Sequence, residues 1–194
     1  MTDTIGLIVA SALVNNIVLV QLLGVSAASL GSNRIAAALD LALFSGILLI
    51  ASATVNTLLF WFLLQPLSLE ALNLITFVSV CAFLSTLLAQ WIKKNLPLSF
   101  RQHTLALYLA GANSAVIGVS LQHSQLPLSL GNFTSSVASS LGAALGFGFV
   151  IVAFSTLRLR LSTADTPEAF RGAPTLLISA GIAAMSFLGF AGLL

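Results

Sequence analysis

Residues 41–65 read LALFSGILLIASATVNTLLFWFLLQ, a run without a single Asp, Glu, Lys or Arg. A helix rises about 1.5 Å per residue, so roughly 20 apolar residues cross the ~30 Å hydrocarbon core of a bilayer, and this run is longer than that. Its apolar residues are continuous, whereas a membrane β-strand alternates apolar and polar positions over about ten residues. The stretch therefore predicts a transmembrane helix. It also makes the rest of the chain a search for others.

Outward from it, charge-free gaps cover 4–33, 41–69, 71–92, 102–157 and 172–194. The fourth gap is long enough for two spans, and its middle, Gln122 to Pro127 followed by Gly131-Asn132, is polar and rich in turn residues. Six helices follow, at about 4–23, 35–64, 72–92, 104–121, 133–157 and 174–194, in one membrane domain covering 1–194. The fold class expected is an all-α integral membrane protein.

Composition agrees with this and closes other routes. Of 194 residues, 58% are hydrophobic and 6% charged, with a mean hydropathy of +1.09. A water-soluble domain carries about 25% charged residues to cover its surface. Nucleic-acid binding through a basic face is excluded too, because seven Lys and Arg against five Asp and Glu leave a net charge of only +2. Met1-Thr2-Asp3 lacks the basic start of a secretory signal, so the first span is expected to remain in the mature protein.

The placement of charge sets the orientation. Arg34 lies in the first loop, Lys93, Lys94 and Arg101 in the third, and Arg158, Arg160 and Arg171 in the fifth; the even loops and both termini hold no basic residue. Positive charge in short loops stays cytoplasmic, so both termini are expected on the other side, the periplasm of a Gram-negative cell. The fifth loop also carries Asp165 and Glu168. It reads either as a solvated connector or as the surface for a cytoplasmic partner.

Little in the chain suggests catalysis. Cys81, mid-span and alone, forms no internal disulfide and reads as packing. His103 and His123 fall near opposite membrane faces and read as interfacial polar residues. Gly142 and Gly146, with Ala138 one turn earlier, form a small-residue face suited to close helix contact. No mid-span carboxylate and no nucleophile–base pair is visible.

The intramembrane amides are more informative. Asn15 and Asn16 sit mid-span in the first helix, and Asn113 mid-span in the fourth between Gly111 and Gly118. Burying an unpaired amide in hydrocarbon costs a few kcal/mol, so these side chains should meet protein, water or exposed backbone. Each opens a three-helix half, and three is odd, so repeated halves would be inverted across the membrane. The pairs Asn15-Asn16 and Asn113-Ser114, each followed by an apolar run, fit broken helices meeting near the midplane. They fit equally well as hydrogen-bonding pins between helices.

Several separate segments carry a resemblance. These are 13–24 (LVNNIVLVQLLG), 113–119 (NSAVIGV), the loop 164–172 (ADTPEAFRG), then Ala180-Gly181 and 187–193 (FLGFAGL). In this order, and end to end, the chain resembles the family of membrane subunits shared by the Rnf (Rsx) electron transport complex and the sodium-translocating NADH:quinone reductase, on its RnfA (RsxA) branch. The resemblance implies a multi-pass protein of the bacterial inner membrane, within a complex that couples electron transfer between ferredoxin or NADH and other carriers to ion movement. Its partners would be a sister membrane chain of inverted topology, of the RnfE type, together with the other Rnf subunits.

In that family the sister pair shares a 2Fe-2S cluster, each chain giving two cysteines, one after the Leu-Gly-x of the first helix and one after the Asn of the fourth. Here those positions hold Ser26 and Ser114, and the family's Cys-Pro-Phe-Met-Gly reads Ser26-Ala27-Ala28-Ser29-Leu30. Soft, ionised thiolates hold iron–sulfur clusters, whereas a serine hydroxyl loses its proton at far greater cost. The chain is therefore expected to bind no cofactor or metal of its own. Asn15, Asn16 and Asn113 are the candidates for a pathway or helix junction, and Asp165, Pro167, Phe170, Arg171 and Gly172 for the partner loop. Two functions stay open: a component supporting ion translocation in an Rnf-type complex, or a non-redox transporter or scaffold derived from the family.

Overall fold

The computed structural model describes residues 4–24, 35–95, 111, 113–163, 167 and 170–189. Among these, every regular element is helical and none is a strand. Helix α1 (Thr4–Val9) runs into a π-helical turn (Ala10–Val14) and stops. Helix α2 (Ile35–Leu59) also finishes in a π-helical turn (Phe60–Leu64), and a 3-10 turn (Glu70–Leu72) leads into α3 (Asn73–Asn95). Then follow α4 (Ser114–Ser124), α5 (Leu130–Ser162) and α6 (Ala173–Leu188). Three segments, Ile35–Leu64, Glu70–Ile92 and Leu130–Leu161, are long and apolar enough to cross a membrane, while Thr4–Val14 and Leu177–Phe187 are shorter apolar helices.

Helices α2 and α5 are the central pair, and α4, α1 and α3 pack around them. Lipid tails are as apolar as leucine, so helices in a bilayer gain little from burying leucine and rely on close van der Waals fit. The sequence supplies that fit with small residues. Gly46 of α2 faces the Cβ of Ala144, and Gly148 of α5 faces that of Ala42. Around these contacts Leu41, Leu48 and Leu49 of α2 and Phe147 and Ile151 of α5 are buried. Helix α3 turns most of its surface outward, with Ile75, Phe83 and Trp91 exposed, a surface suited to hydrocarbon.

On the other side of α5, Gly142 and Gly146 receive α1 and its π-helical turn. A methyl group at Gly142 would collide with the Ile8 carbonyl and lie 2.7 Å from the Ser11 Cβ; one at Gly146 would collide with the Ala12 carbonyl and lie 2.7 Å from the Asn16 Nδ2. The small-residue face read from the sequence is the seat of the first helix.

Several boundaries differ from the sequence reading for local reasons. The first span, read as helix over 4–23, is helical only to Val14, because Asn16 offers its side chain to the backbone beyond. The fourth, read over 104–121, has an extended residue at Asn113 and runs on to Ser124; its portion 104–110 lies outside the described residues. The fifth begins at Leu130, where Ser129 caps it by accepting from the Asn132 N–H, and continues through Arg158 and Arg160 to Ser162. His123, read as interfacial, is buried in the last turn of α4, with Nε2 at 2.8 Å from the Ser139 Oγ of α5.

The packing at Gly146 is testable. Gly146→Val should destabilise the protein by about 1–3 kcal/mol, the usual cost of overpacking a close contact. Gly181→Val should leave it unchanged, since nothing lies within 4 Å of that glycine. Thermal unfolding of both variants in the same detergent separates them.

Candidate functional site

The chain breaks twice inside its apolar segments, and the two breaks touch. The first follows α1. Beyond Val14 the residues 15–24 form turns, with Leu22 at φ 56° and Gly24 at φ 79°. Freed backbone groups cannot turn to water in a bilayer, so each needs a partner from the chain. Asn16, fully buried, provides three: its Nδ2 donates to the Ala12 carbonyl at 2.8 Å, and its Oδ1 accepts from Val18 N–H at 3.0 Å and Leu19 N–H at 3.4 Å. Asn15 is exposed and does not join it.

The second break precedes α4. Asn113, also fully buried, has an extended backbone and caps α4 through its Oδ1, which accepts the Ala115 N–H at 3.0 Å. Its Nδ2 has no hydrogen-bond partner among the described residues. Asparagine is among the strongest N-caps because a short amide oxygen reaches the free N–H groups of a first turn.

One hydrogen bond ties the breaks together: the Gly24 N–H donates to the Ser114 Oγ at 2.9 Å. Gly24 is required twice over. Its positive φ suits glycine, and a Cβ there would lie 2.6 Å from the Phe147 ring and 2.7 Å from the Asn113 Oδ1. Gly118, one turn into α4, leaves room for Leu23 and Ile17. The consecutive α5 residues Gly146 and Phe147 form the floor, the first under Asn16 and the second under Gly24. Asn16 and Asn113 thus belong to one junction of backbone breaks, lined by amides and a hydroxyl and holding no charged side chain among the described residues. Such a junction can bind or pass small polar species, but it holds no acid, base or nucleophile pair for bond-making.

Ser26 and Asp165 fall outside the described residues. In the fifth loop the Phe170 N–H donates to the Pro167 carbonyl at 2.9 Å, and the Thr175 hydroxyl donates to the Phe170 carbonyl. Gly172 begins α6 at φ 86° with open space around it, so its role is conformational. This turn holds Phe170 and Arg171 outward.

A group that the sequence reading did not single out lies between α2 and α4. Asn56 Nδ2 donates to Ser120 Oγ at 2.9 Å and approaches the Cys81 sulfur at 3.9 Å, and the Trp61 indole N–H donates to the Leu126 carbonyl at 3.0 Å. The signal was present as spacing. Ser52 and Asn56 follow Ser45 by seven and eleven residues, which puts all three on one helical stripe.

If Asn113 acts as the cap, Asn113→Ala should cost about 0.5–2 kcal/mol, and Asn113→Ser, which keeps an acceptor, should recover most of it. Asn15→Ala should be neutral. Thermal unfolding of the three variants checks the assignment, and equal losses at Asn15 and Asn113 would refute it.

Comparison with known proteins extends over the same chain. A family model described as "Rnf-Nqr subunit, membrane protein" matches residues 4–194. Proteins named as the A component of the ion-translocating oxidoreductase complex are 37% identical in Hahella chejuensis, 36% in Alcanivorax borkumensis and 39% in Alkalilimnicola ehrlichii. Each alignment covers 100% of this chain and 98% or 99% of the relative. The chain belongs to the Rnf-Nqr family of membrane-protein subunits.

Proposed function

We propose that this chain is the RnfA-type membrane component of an Rnf-type complex that couples electron transfer to ion translocation across the bacterial inner membrane. Its place in the complex is beside a sister chain of inverted topology. The observation that carries the reading is the junction itself: the first helical segment ends just before Asn16, α4 starts just after Asn113, and the two breaks meet through Gly24 and Ser114. That pairing supports six spans in two inverted repeats, with Asn16 and Asn113 at a path near the midplane. The basic residues, all in the odd-numbered connections or the helix ends that lead into them, support both termini facing the periplasm.

The family's shared 2Fe-2S cluster does not suit the residues of this chain. Ser114, at one ligand position, is a neutral hydroxyl that already accepts the Gly24 N–H. The one cysteine, Cys81, is buried beside Asn56, in the contact of α3 with α2. The chain is therefore assigned a supporting and ion-path role, with no cluster ligated by its own side chains. The exposed Phe170 and Arg171, held by the Pro167 turn, suit a cytoplasmic partner surface.

Two experiments test this reading. The complex, purified anaerobically through a tag on this chain, should contain the sister chain, with no iron or acid-labile sulfide beyond the partners' own sites. Arg171→Glu should lower partner recovery without lowering the yield of this chain. Absence of the partners would leave a separate transporter or scaffold as the function, and extra iron in step with the chain would overturn the cluster-free assignment. A reporter pair fused to the C-terminus should read periplasmic; a cytoplasmic signal would reject the orientation.

A further inference from the structure

The contact between α2 and α4 carries polar groups that their neighbours do not satisfy. Ser45, Ser52 and Asn56 form one stripe of α2, and Asn113, Ser120 and Ser124 repeat the same seven- and eleven-residue spacing on the α4 side. Ser124 is 5% exposed and the other five are fully buried. The stripes face one another at Asn56 and Ser120, and five residues further on, in the π-helical turn after α2, Trp61 meets Leu126, six further along the chain from Ser120. The two segments therefore run in the same direction. Asn113, seven residues back from Ser120, lies about 10 Å from it along the helix axis, on the side toward Ser45.

Among the described residues, three buried atoms of these two stripes have no hydrogen-bond partner: Ser45 Oγ, Asn56 Oδ1 and Asn113 Nδ2. The amide orientations follow from the network. Ser120 Oγ donates to the Val116 carbonyl at 3.0 Å, so it must accept from Asn56, which leaves the Asn56 oxygen over. Asn113 uses its oxygen on the Ala115 N–H, which leaves its nitrogen over. A buried polar group is costly to leave unpaired, so each calls for a partner.

The mixture of orphans identifies the ligand. Asn56 Oδ1 only accepts and Asn113 Nδ2 only donates. A bare cation would suit the first place and not the second, and an anion the reverse, so no one kind of ion satisfies both. Water serves both, and the serine hydroxyls beside them supply the further partners that a buried water needs. We propose that the α2–α4 seam is a file of bound water, which extends the Asn113 junction toward Trp61 and the hairpin after α4. The file rests on the junction reading only for its role, a hydrated route into the midplane break that carries water or a hydrated proton.

Cys81 is a built-in probe, since its sulfur lies against both Ser52 and Asn56 on this seam and sulfur is readily oxidised by hydroxyl radicals generated from nearby water. The measurement is X-ray radiolytic footprinting of the full chain in lipid nanodiscs, in the complex where the partners copurify, with oxidation read peptide by peptide in isotopically labelled water. The control is the thiol introduced by Ala53→Cys, equally buried but one residue round the helix from the stripe. Cys81 should oxidise several-fold faster than that control, and Asn56→Leu should bring it down to the control rate. Equal rates at the two sulfurs would show a dry seam and overturn the proposal. So would a fast rate at Cys81 that Asn56→Leu leaves unchanged. Because the reading needs no electron donor and no iron, it fails or holds independently of the place of the chain in a redox complex.

Discussion

A backbone that leaves the helix inside a bilayer has no solvent to fall back on, and that constraint organises the molecule. Ten residues after α1 and its π-helical turn carry N–H and C=O groups that no continuous helical ladder satisfies. Asn16 binds three backbone groups with one side chain, and Gly24 passes its N–H to a hydroxyl on the other half of the protein. The break is tolerable only because α4 starts beside it. The same holds in reverse, since Asn113 has to cap α4 from an extended backbone pressed against Gly24.

Such proximity is possible only where side chains are nearly absent. Gly142 and Gly146 let the α1 backbone lie on α5, and the next residue, Phe147, fills the space under Gly24. In water a core of this size is held by the removal of apolar area. Here the partner helices and the lipid offer similar apolar surroundings, so fit at a few glycines counts for more than area. The junction is therefore tied to the packing of the helices behind it.

Much of the fold was legible because charge is scarce and its gaps are long. The run around residues 41–65 and the polar hairpin after His123 place helices without any knowledge of contacts. Asn16 and Asn113 were legible as well, since an amide in the middle of an apolar span needs a reason. Their grouping was not, because only the return of residues 15–24 against Ser114 tells Asn16, at the junction, from exposed Asn15. His123 misled for a related reason: distance along the chain from an apolar run says nothing of burial when a neighbouring helix continues further, as α5 does to meet it at Ser139. The Asn56–Ser120 pair was hidden among serines that singly read as neutral, and only their common spacing on two helices separates them from filler.

The serine at position 114 links the backbone to the chemistry. A hydroxyl is neutral at any physiological pH, accepts an N–H at ordinary length and needs no counter-charge in an apolar interior. A thiolate at that place would bring a buried charge that only a cationic cluster could offset. With serine, the contact between the two breaks is a neutral hydrogen bond that forms as the helices pack. Among the described residues the polarity of the junction is dipolar: amides, hydroxyls and freed peptide groups, each able to hold water.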